Sequence, residues 1–348
     1  MLAYIYHSEK KMGLEEISKP VLGDGGALIQ VVASSICGTD LRTYRHGSKK
    51  INEGTVLGHE FVGKILEISS DDSTNDFSVG DYIGVAPAIG CGECYCCKRG
   101  QFNMCNHLKT IGFQYHGAFA EQMVLPKSAF NMGNVYRLPD VEDYSIFTLS
   151  EPLACVINAQ SYLNIQQGDD VVIFGSGIIG CMHAELAIES GAKQVFMIER
   201  SAERIDECQQ LLEKVLFINS TEVDIFKEIS DKTDGKGADV AIIACSAGGA
   251  QVDGMNLLAK GGRISLFGGL PGESNGFIDS NLVHYKEISV YGAHASTPQQ
   301  NKEAMAMVYS KRIDVKKYTK SQYPLQEIGK AFRDVDNGKI IKATILNT

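Results

Sequence analysis

Cys91, Cys94, Cys97 and Cys105 form a C-x2-C-x2-C-x7-C cluster, four thiols within fifteen residues. Four thiolates at that spacing can close a tetrahedron around Zn²⁺, and soft sulfur suits that ion. Gly90, Gly92 and Gly100 supply the tight bends of a metal-wrapping loop. Two disulfides are the alternative, which the absence of secretory features disfavours. Cys96 lies inside the cluster, and the spacing alone does not exclude it as a ligand. A metal whose four positions are all filled by protein has no place for substrate, so this one is structural and the chemistry lies elsewhere.

Three shorter signals lie outside the cluster: Cys37-Gly38-Thr39-Asp40, Gly58-His59-Glu60 and Glu151-Pro152-Leu153-Ala154. Taken singly they prove little, because buried cysteines and satisfied core histidines are commoner than ligands.

A different chemistry is written at Gly175-Ser176-Gly177-Ile178-Ile179-Gly180, which follows the apolar run Val171–Phe174 and opens a helical stretch. In that strand–turn–helix context the motif reads as a dinucleotide fingerprint. Gly175 permits the tight turn, Gly177 admits a pyrophosphate to the backbone, and Gly180 allows close helix–strand packing. The free N–H groups of the helix N-terminus complete an anion site. Glu199, nineteen residues beyond Gly180, can accept both hydroxyls of an adenine ribose and would repel a 2′-phosphate. NAD is therefore favoured over NADP. Arg200 weakens that preference, since a guanidinium can welcome the phosphate, but it can equally lie over the adenine face.

The elements that must carry these residues fall into three regions. Residues 1 to about 150 are rich in glycine, turn signals and short β-like runs such as 27–33 and 79–85, an irregular, mostly β pattern. From 154 to 291 apolar strands (171–174, 195–198, 215–218, 240–244, 264–267, 288–291) alternate with helical stretches (178–190, 202–213, 250–258). That alternation describes a doubly wound parallel sheet, an α/β domain. The tail from 292 carries a helix over 300–310 and a short strand over 342–346, too little to fold alone. It is expected to complete the first domain, with the parallel sheet as an insertion. The run 71–76 reads as a solvated surface loop.

A formal charge of −9 without Lys/Arg runs argues against a nucleic-acid or anionic-membrane partner. No apolar run approaches the roughly 20 residues of a membrane span, and the first residues lack the pattern of a signal peptide. Ten cysteines without secretory features point to a reducing, cytoplasmic compartment.

Taken together and in order, these motifs resemble the zinc-containing branch of the medium-chain dehydrogenase/reductase superfamily, nearest its polyol (sorbitol-type) and sugar-alcohol-phosphate dehydrogenases. Gly80-Asp81 and Gly117-Ala118-Phe119-Ala120-Glu121 belong to the same resemblance, which covers nearly the whole chain. It implies a GroES-like catalytic domain beside a Rossmann domain. It also implies two zincs per chain, NAD as hydride acceptor, a polyol or polyol phosphate as substrate, and a homodimer or homotetramer. Cys37 and His59 match the first two catalytic ligands, while Glu60 and Glu151 match the carboxylates used at or near the metal. Which of the two binds directly is left open. Such a set leaves a position for the substrate hydroxyl, whose lowered pKa allows hydride to leave. Thr39 matches the position that carries the substrate proton, and Asp40 is placed to orient a ligand imidazole.

Where most of the family has a histidine five residues after the first zinc cysteine, this chain has Arg42. Arginine cannot shuttle a proton near neutral pH, so it either binds a cofactor oxygen or grips an anionic group such as a substrate phosphate. Phe267-Gly268-Gly269-Leu270 matches segments placed against the nicotinamide, and His294 is either a pocket contact or a surface turn residue. Cys155, Cys181, Cys208 and Cys245 read as packing. The alternatives are a 2,3-butanediol or L-threonine dehydrogenase on the same framework and, in other classes, a zinc-free double-bond reductase or a non-catalytic nucleotide-binding protein.

Overall fold

The structure is a computed structural model that describes residues 1–23, 25–70, 74–270 and 278–347. The chain divides into two compact units, Met1–Ala154 with Ala295–Thr348, and Cys155–His294.

The first unit is built on a seven-stranded sheet. Its spine runs Val135–Arg137, Tyr82–Val85, Glu60–Ile68, Gly26–Ser35, Thr344–Leu346 and Gln322–Pro324, with Gln122–Pro126 also pairing Gly26–Ser35. A three-stranded sheet from Leu2–Ser8, Lys11–Glu16 and Thr55–Val56 packs nearby. The long central strand Gly26–Ser35 is apolar and almost wholly buried, since it has partners on both sides. One core gathers Tyr4, Phe119 and Phe332, whose rings meet at centroid distances of 5.4 and 5.7 Å. A second gathers Ile29, Phe61, Ile65, Ile83 and Leu125. The tail thus belongs to this unit, because its last strand lies directly against Gly26–Ser35.

The second unit is a six-stranded, all-parallel sheet. In chain order its strands are Asp170–Phe174, Gln194–Glu199, Leu216–Asn219, Ala238–Ile243, Leu258–Leu266 and Ser289–Gly292. In space they run third, second, first, fourth, fifth, sixth. Val171, Val172, Ile173 and Val240 through Ile243 are fully buried, as expected when helices cover both faces. The strand order reverses beside the first strand, which is where an open α/β sheet offers a crevice for a ligand.

Several boundaries differ from the sequence reading. The fifth strand starts at Leu258 rather than 264, because Gly261, at φ 74°, forms an irregularity between the pairings of Leu258 and Arg263 that the strand spans. The helix expected over 202–213 stops at Gln209. Helices Ile225–Lys232 and Ser280–Lys286, each capped by an aspartate side chain, were not expected. Of the polar run 71–76, residues 71–73 lie outside the described residues. Thr74 is buried rather than solvated, and its hydroxyl donates to the Ser69 carbonyl at 2.5 Å.

Candidate active site

Two strands and a helix of the first unit converge on Cys37, His59 and Glu60. Cys37 is the N-cap of helix Gly38–His46: its backbone N–H donates to Asp40 Oδ2 at 3.0 Å, and its sulfur accepts from the Thr39 N–H at 3.5 Å. This capping box fixes both the thiol and Asp40. Glu60 opens the strand Glu60–Ile68, and Gly58 turns the chain into it with φ 95°. A Cβ at Gly58 would lie 2.8 Å from the Phe119 ring, so only glycine fits there.

One sulfur, one imidazole nitrogen and one carboxylate oxygen from these three residues lie within 4.8 Å of one another. His59 is buried, with Asp40 Oδ1 at 3.5 Å from a Nδ1 that has no hydrogen-bond partner. Burial opposes a charge on this imidazole, but Asp40 and Cys37 together outweigh it and hold its pKa well above the ordinary histidine value. A thiol, an imidazole and a carboxylate this close together are a donor set that suits a divalent cation, held by a thiolate, a neutral imidazole and a carboxylate.

Among the described residues Glu151 is not in this group. It stands half-buried in the first turn of helix Ser150–Leu163, close enough to Tyr136 to add to the burial that raises that phenol's pKa. Thr39 is half-buried beside Cys37, and Arg42 is exposed on the same helix. Two residues of this pocket carried no sequence signal. Glu60 Oε2 accepts from both Ser35 Oγ and Lys342 Nζ, the last two being buried.

The sulfurs of Cys91, Cys94, Cys97 and Cys105 form a second group within 4.8 Å, and Cys96 is outside it. Cys94 and Cys105 sulfurs stand 3.8 Å apart. A tetrahedron with Zn–S bonds of about 2.3 Å has an edge of about 3.8 Å. The N–H groups of Cys91 and His107 point at Cys105, each at 3.2 Å. Without a cation the sulfurs split: N–H groups of Cys97 and Asn106 pull Cys94 down to about 6, while burial pushes Cys97 up to about 12. A divalent ion removes that conflict by letting all four be thiolates.

In the second unit, Gly175 turns with φ 99° after the first strand, and Gly177 is the N-cap of helix Ile178–Glu189 with no side-chain cap. The N–H groups of that first turn remain available to an anion. A Cβ at Gly180 would meet the Gly175 carbonyl at 1.9 Å, whereas one at Gly177 would meet nothing. Packing thus demands glycine at 180, while at 177 the missing side chain leaves open space where a phosphate would come. Ile178 and Ile179 form the first turn of that helix.

Glu199 ends the second strand. Its Oε2 accepts from Ser176 N at 3.0 Å and Ser176 Oγ at 2.9 Å, and its Oε1 accepts from Arg200 N at 2.7 Å and Ser201 N at 3.2 Å. Burial alone would raise this carboxyl, but those donors outweigh it and hold it below the usual range. The Ser176–Glu199 link was not expected, and it ties the glycine-rich loop after the first strand to the end of the second. Arg200 itself is exposed. His294 is exposed, and its carbonyl accepts from Asn158 at 3.5 Å.

Residues that could hold a metal and a glycine-rich strand–turn–helix in one chain suit a cofactor-dependent dehydrogenase. Residues 23–140 match the family model of an alcohol dehydrogenase GroES-like domain, and residues 179–310 that of a zinc-binding dehydrogenase. The chain is 36% identical over 286 residues to an L-threonine 3-dehydrogenase of Pyrococcus abyssi, covering 80% of this chain and 78% of that one. It is 30% identical to a D-arabitol-phosphate dehydrogenase of Enterococcus avium, over 96% and 94% of the two chains. A putative zinc-binding dehydrogenase from Sinorhizobium meliloti 1021, solved bound to NADP, superposes with a TM-score of 0.90 at 26% identity, over 99% of this chain and 98% of that one. The chain belongs to the zinc-containing medium-chain dehydrogenase/reductase superfamily and is an alcohol dehydrogenase of that group. Among the described residues no helix is long and apolar enough to cross a membrane.

Proposed function

We propose that the protein oxidises a secondary hydroxyl of a polyol or polyol phosphate, passing hydride to NAD. The observation that carries this reading is the convergence of Cys37, His59 and Glu60 to within 4.8 Å. These three residues hold the catalytic zinc, with Glu151 as the neighbouring carboxylate. When bound, zinc supplies Lewis acidity that lowers the pKa of the substrate hydroxyl. Asp40 orients His59, and the Thr39 hydroxyl takes the substrate proton toward solvent. Gly175 to Gly180 and the helix N-terminus receive the pyrophosphate, and Glu199 receives the adenine ribose. Because a carboxylate at that place repels a 2′-phosphate, NAD is preferred to NADP. Cys91, Cys94, Cys97 and Cys105 hold a second, structural zinc.

The likeness to an arabitol-phosphate dehydrogenase over nearly the whole chain supports the polyol class, and the exposed guanidinium of Arg42 is suited to a substrate phosphate. The higher identity to threonine dehydrogenases favours L-threonine as the second reading. The edge strand Ser289–Gly292 supports assembly into a homodimer or homotetramer. Free thiols throughout the chain suit a cytoplasmic location.

The test is NAD⁺ reduction at 340 nm by zinc-loaded protein. The panel is sorbitol, xylitol, galactitol, their monophosphates, 2,3-butanediol and L-threonine, each with and without a zinc chelator. A chelator-sensitive rate with one polyol class supports the proposal. Turnover of threonine or butanediol alone overturns the substrate class and leaves the framework standing.

A further inference from the structure

Glu60 is the one residue of the catalytic group with a buried cation on it. Lys342 lies 282 positions away in sequence, yet its ammonium pairs with Glu60 Oε2, and both side chains are 1% exposed. A second ammonium hydrogen goes to the Ile36 carbonyl at 2.9 Å. Ser35 Oγ donates to the same Glu60 oxygen. The sheet produces this arrangement directly. Ser35 is the register partner of Glu60 on one side and of Thr344 on the other, so the terminal strand brings Lys342 alongside the group. A wholly buried ion pair is a poor way to gain stability, because desolvating both charges offsets most of their attraction. Its position one carboxylate from the metal group suggests another use.

We propose that Lys342, assisted by Ser35, is a positioning residue that holds one oxygen of Glu60 away from the catalytic metal and cancels that carboxylate's charge. The inference rests on the reading of Cys37, His59 and Glu60 as the catalytic zinc ligands. With Glu60 free, a thiolate and a carboxylate neutralise a 2+ ion completely. With Lys342 in place the cluster keeps one net positive charge. A more electrophilic site lowers the pKa of a bound alcohol further, and a restrained carboxylate leaves the open position to the substrate. Sequence alone could not show this, since Lys342 sits among ordinary tail residues.

The test uses the whole protein with cobalt in place of zinc, whose visible absorption reports ligand number and donor type. The catalytic-site spectrum is the part that vanishes in Cys37→Ser, which separates it from the four-cysteine site. Lys342→Met keeps the length of the side chain and removes the charge. The account expects a changed catalytic-site spectrum and metal affinity increased about ten- to a hundredfold, the scale on which residues contacting ligands act. It also expects the alkaline shift of the kcat pH profile that a less electrophilic metal gives. Lys342→Arg should restore all three. Should Lys342→Met fail to fold, Ser35→Ala must produce a smaller change in the same direction. An unchanged spectrum and affinity in the folded variants overturns the proposal alone. A wild-type protein with no Cys37-dependent cobalt spectrum overturns the zinc-site reading and the proposal with it.

Discussion

Lowering the pH should destabilise the second unit, Cys155–His294, through one residue, His183. The imidazole is fully buried on helix Ile178–Glu189, edge-on to Phe267 at 5.0 Å between ring centroids, and its Nε2 has no hydrogen-bond partner. Its other nitrogen meets only the Gln160 amide at 3.1 Å, and burial lowers its pKa from 6.5 to about 3. The unfolded chain takes up this proton near pH 6.5 and the folded chain only near pH 3, so between those values the unfolded state binds more protons. The contribution to stability is therefore complete above pH 6.5 and is lost as the pH falls toward 3. The full loss is about 5 kcal/mol, and about 2 kcal/mol of it is incurred by pH 5. In a unit of this size that corresponds to a fall in Tm of about 4–8 °C. Other groups titrate over the same range, so the informative quantity is a difference. Thermal melts of wild type and His183→Gln at pH 8 and pH 5 should show the variant less stable at pH 8 but with a smaller drop on acidification, by about 2 kcal/mol. Equal drops in the two proteins would refute the reasoning.

Three other perturbations have clear expectations. Glu199→Gln offers one acceptor oxygen to groups that now share two, so NAD affinity should fall about ten- to a hundredfold while NADP affinity falls less, both read by fluorescence titration. If both candidate groups hold zinc as proposed, Cys94→Ser should remove one zinc per chain by atomic absorption and reduce the thermal stability of the first unit, because three thiolates do not close the site. Arg42→Ala should raise KM for a polyol phosphate by about tenfold or more and leave KM for the free polyol unchanged. An unchanged ratio of the two efficiencies removes Arg42 from phosphate recognition.

What could be read from the sequence follows what is local. The strand–glycine–helix succession at 170–189 is a short-range pattern, and its structure matches it closely because the turn at Gly175 and the close packing at Gly180 each require glycine locally. The four cysteines announce themselves for the same reason. The fifth parallel strand was cut short because Gly261-Gly262 has the composition of a turn; Gly261, at φ 74°, sits in an irregularity between the pairings of Leu258 and Arg263, and the strand continues across it. Helix Ile225–Lys232 is a single amphipathic stretch of eight residues, too short for its period to stand out. Thr74 read as solvated because the polar composition of its run does not reveal that its hydroxyl turns inward to the Ser69 carbonyl. Lys342 and Ser35 lay furthest beyond reach, since their meeting at Glu60 depends on three strands brought together from the two ends of the chain. The sequence also left open which of Glu60 and Glu151 stands at the metal position; in the fold Cys37 comes to the adjacent pair His59-Glu60.

The central claim is that hydride transfer depends on a metal held by Cys37, His59 and Glu60. Its most direct test is the rate of NAD⁺ reduction by zinc-loaded Cys37→Ser against wild type, with the best substrate of the panel. Lewis-acid assistance contributes several kcal/mol to such a reaction, so the account predicts a loss of about a thousandfold or more in kcat/KM. A folded Cys37→Ser protein that keeps its rate to within about tenfold would contradict it.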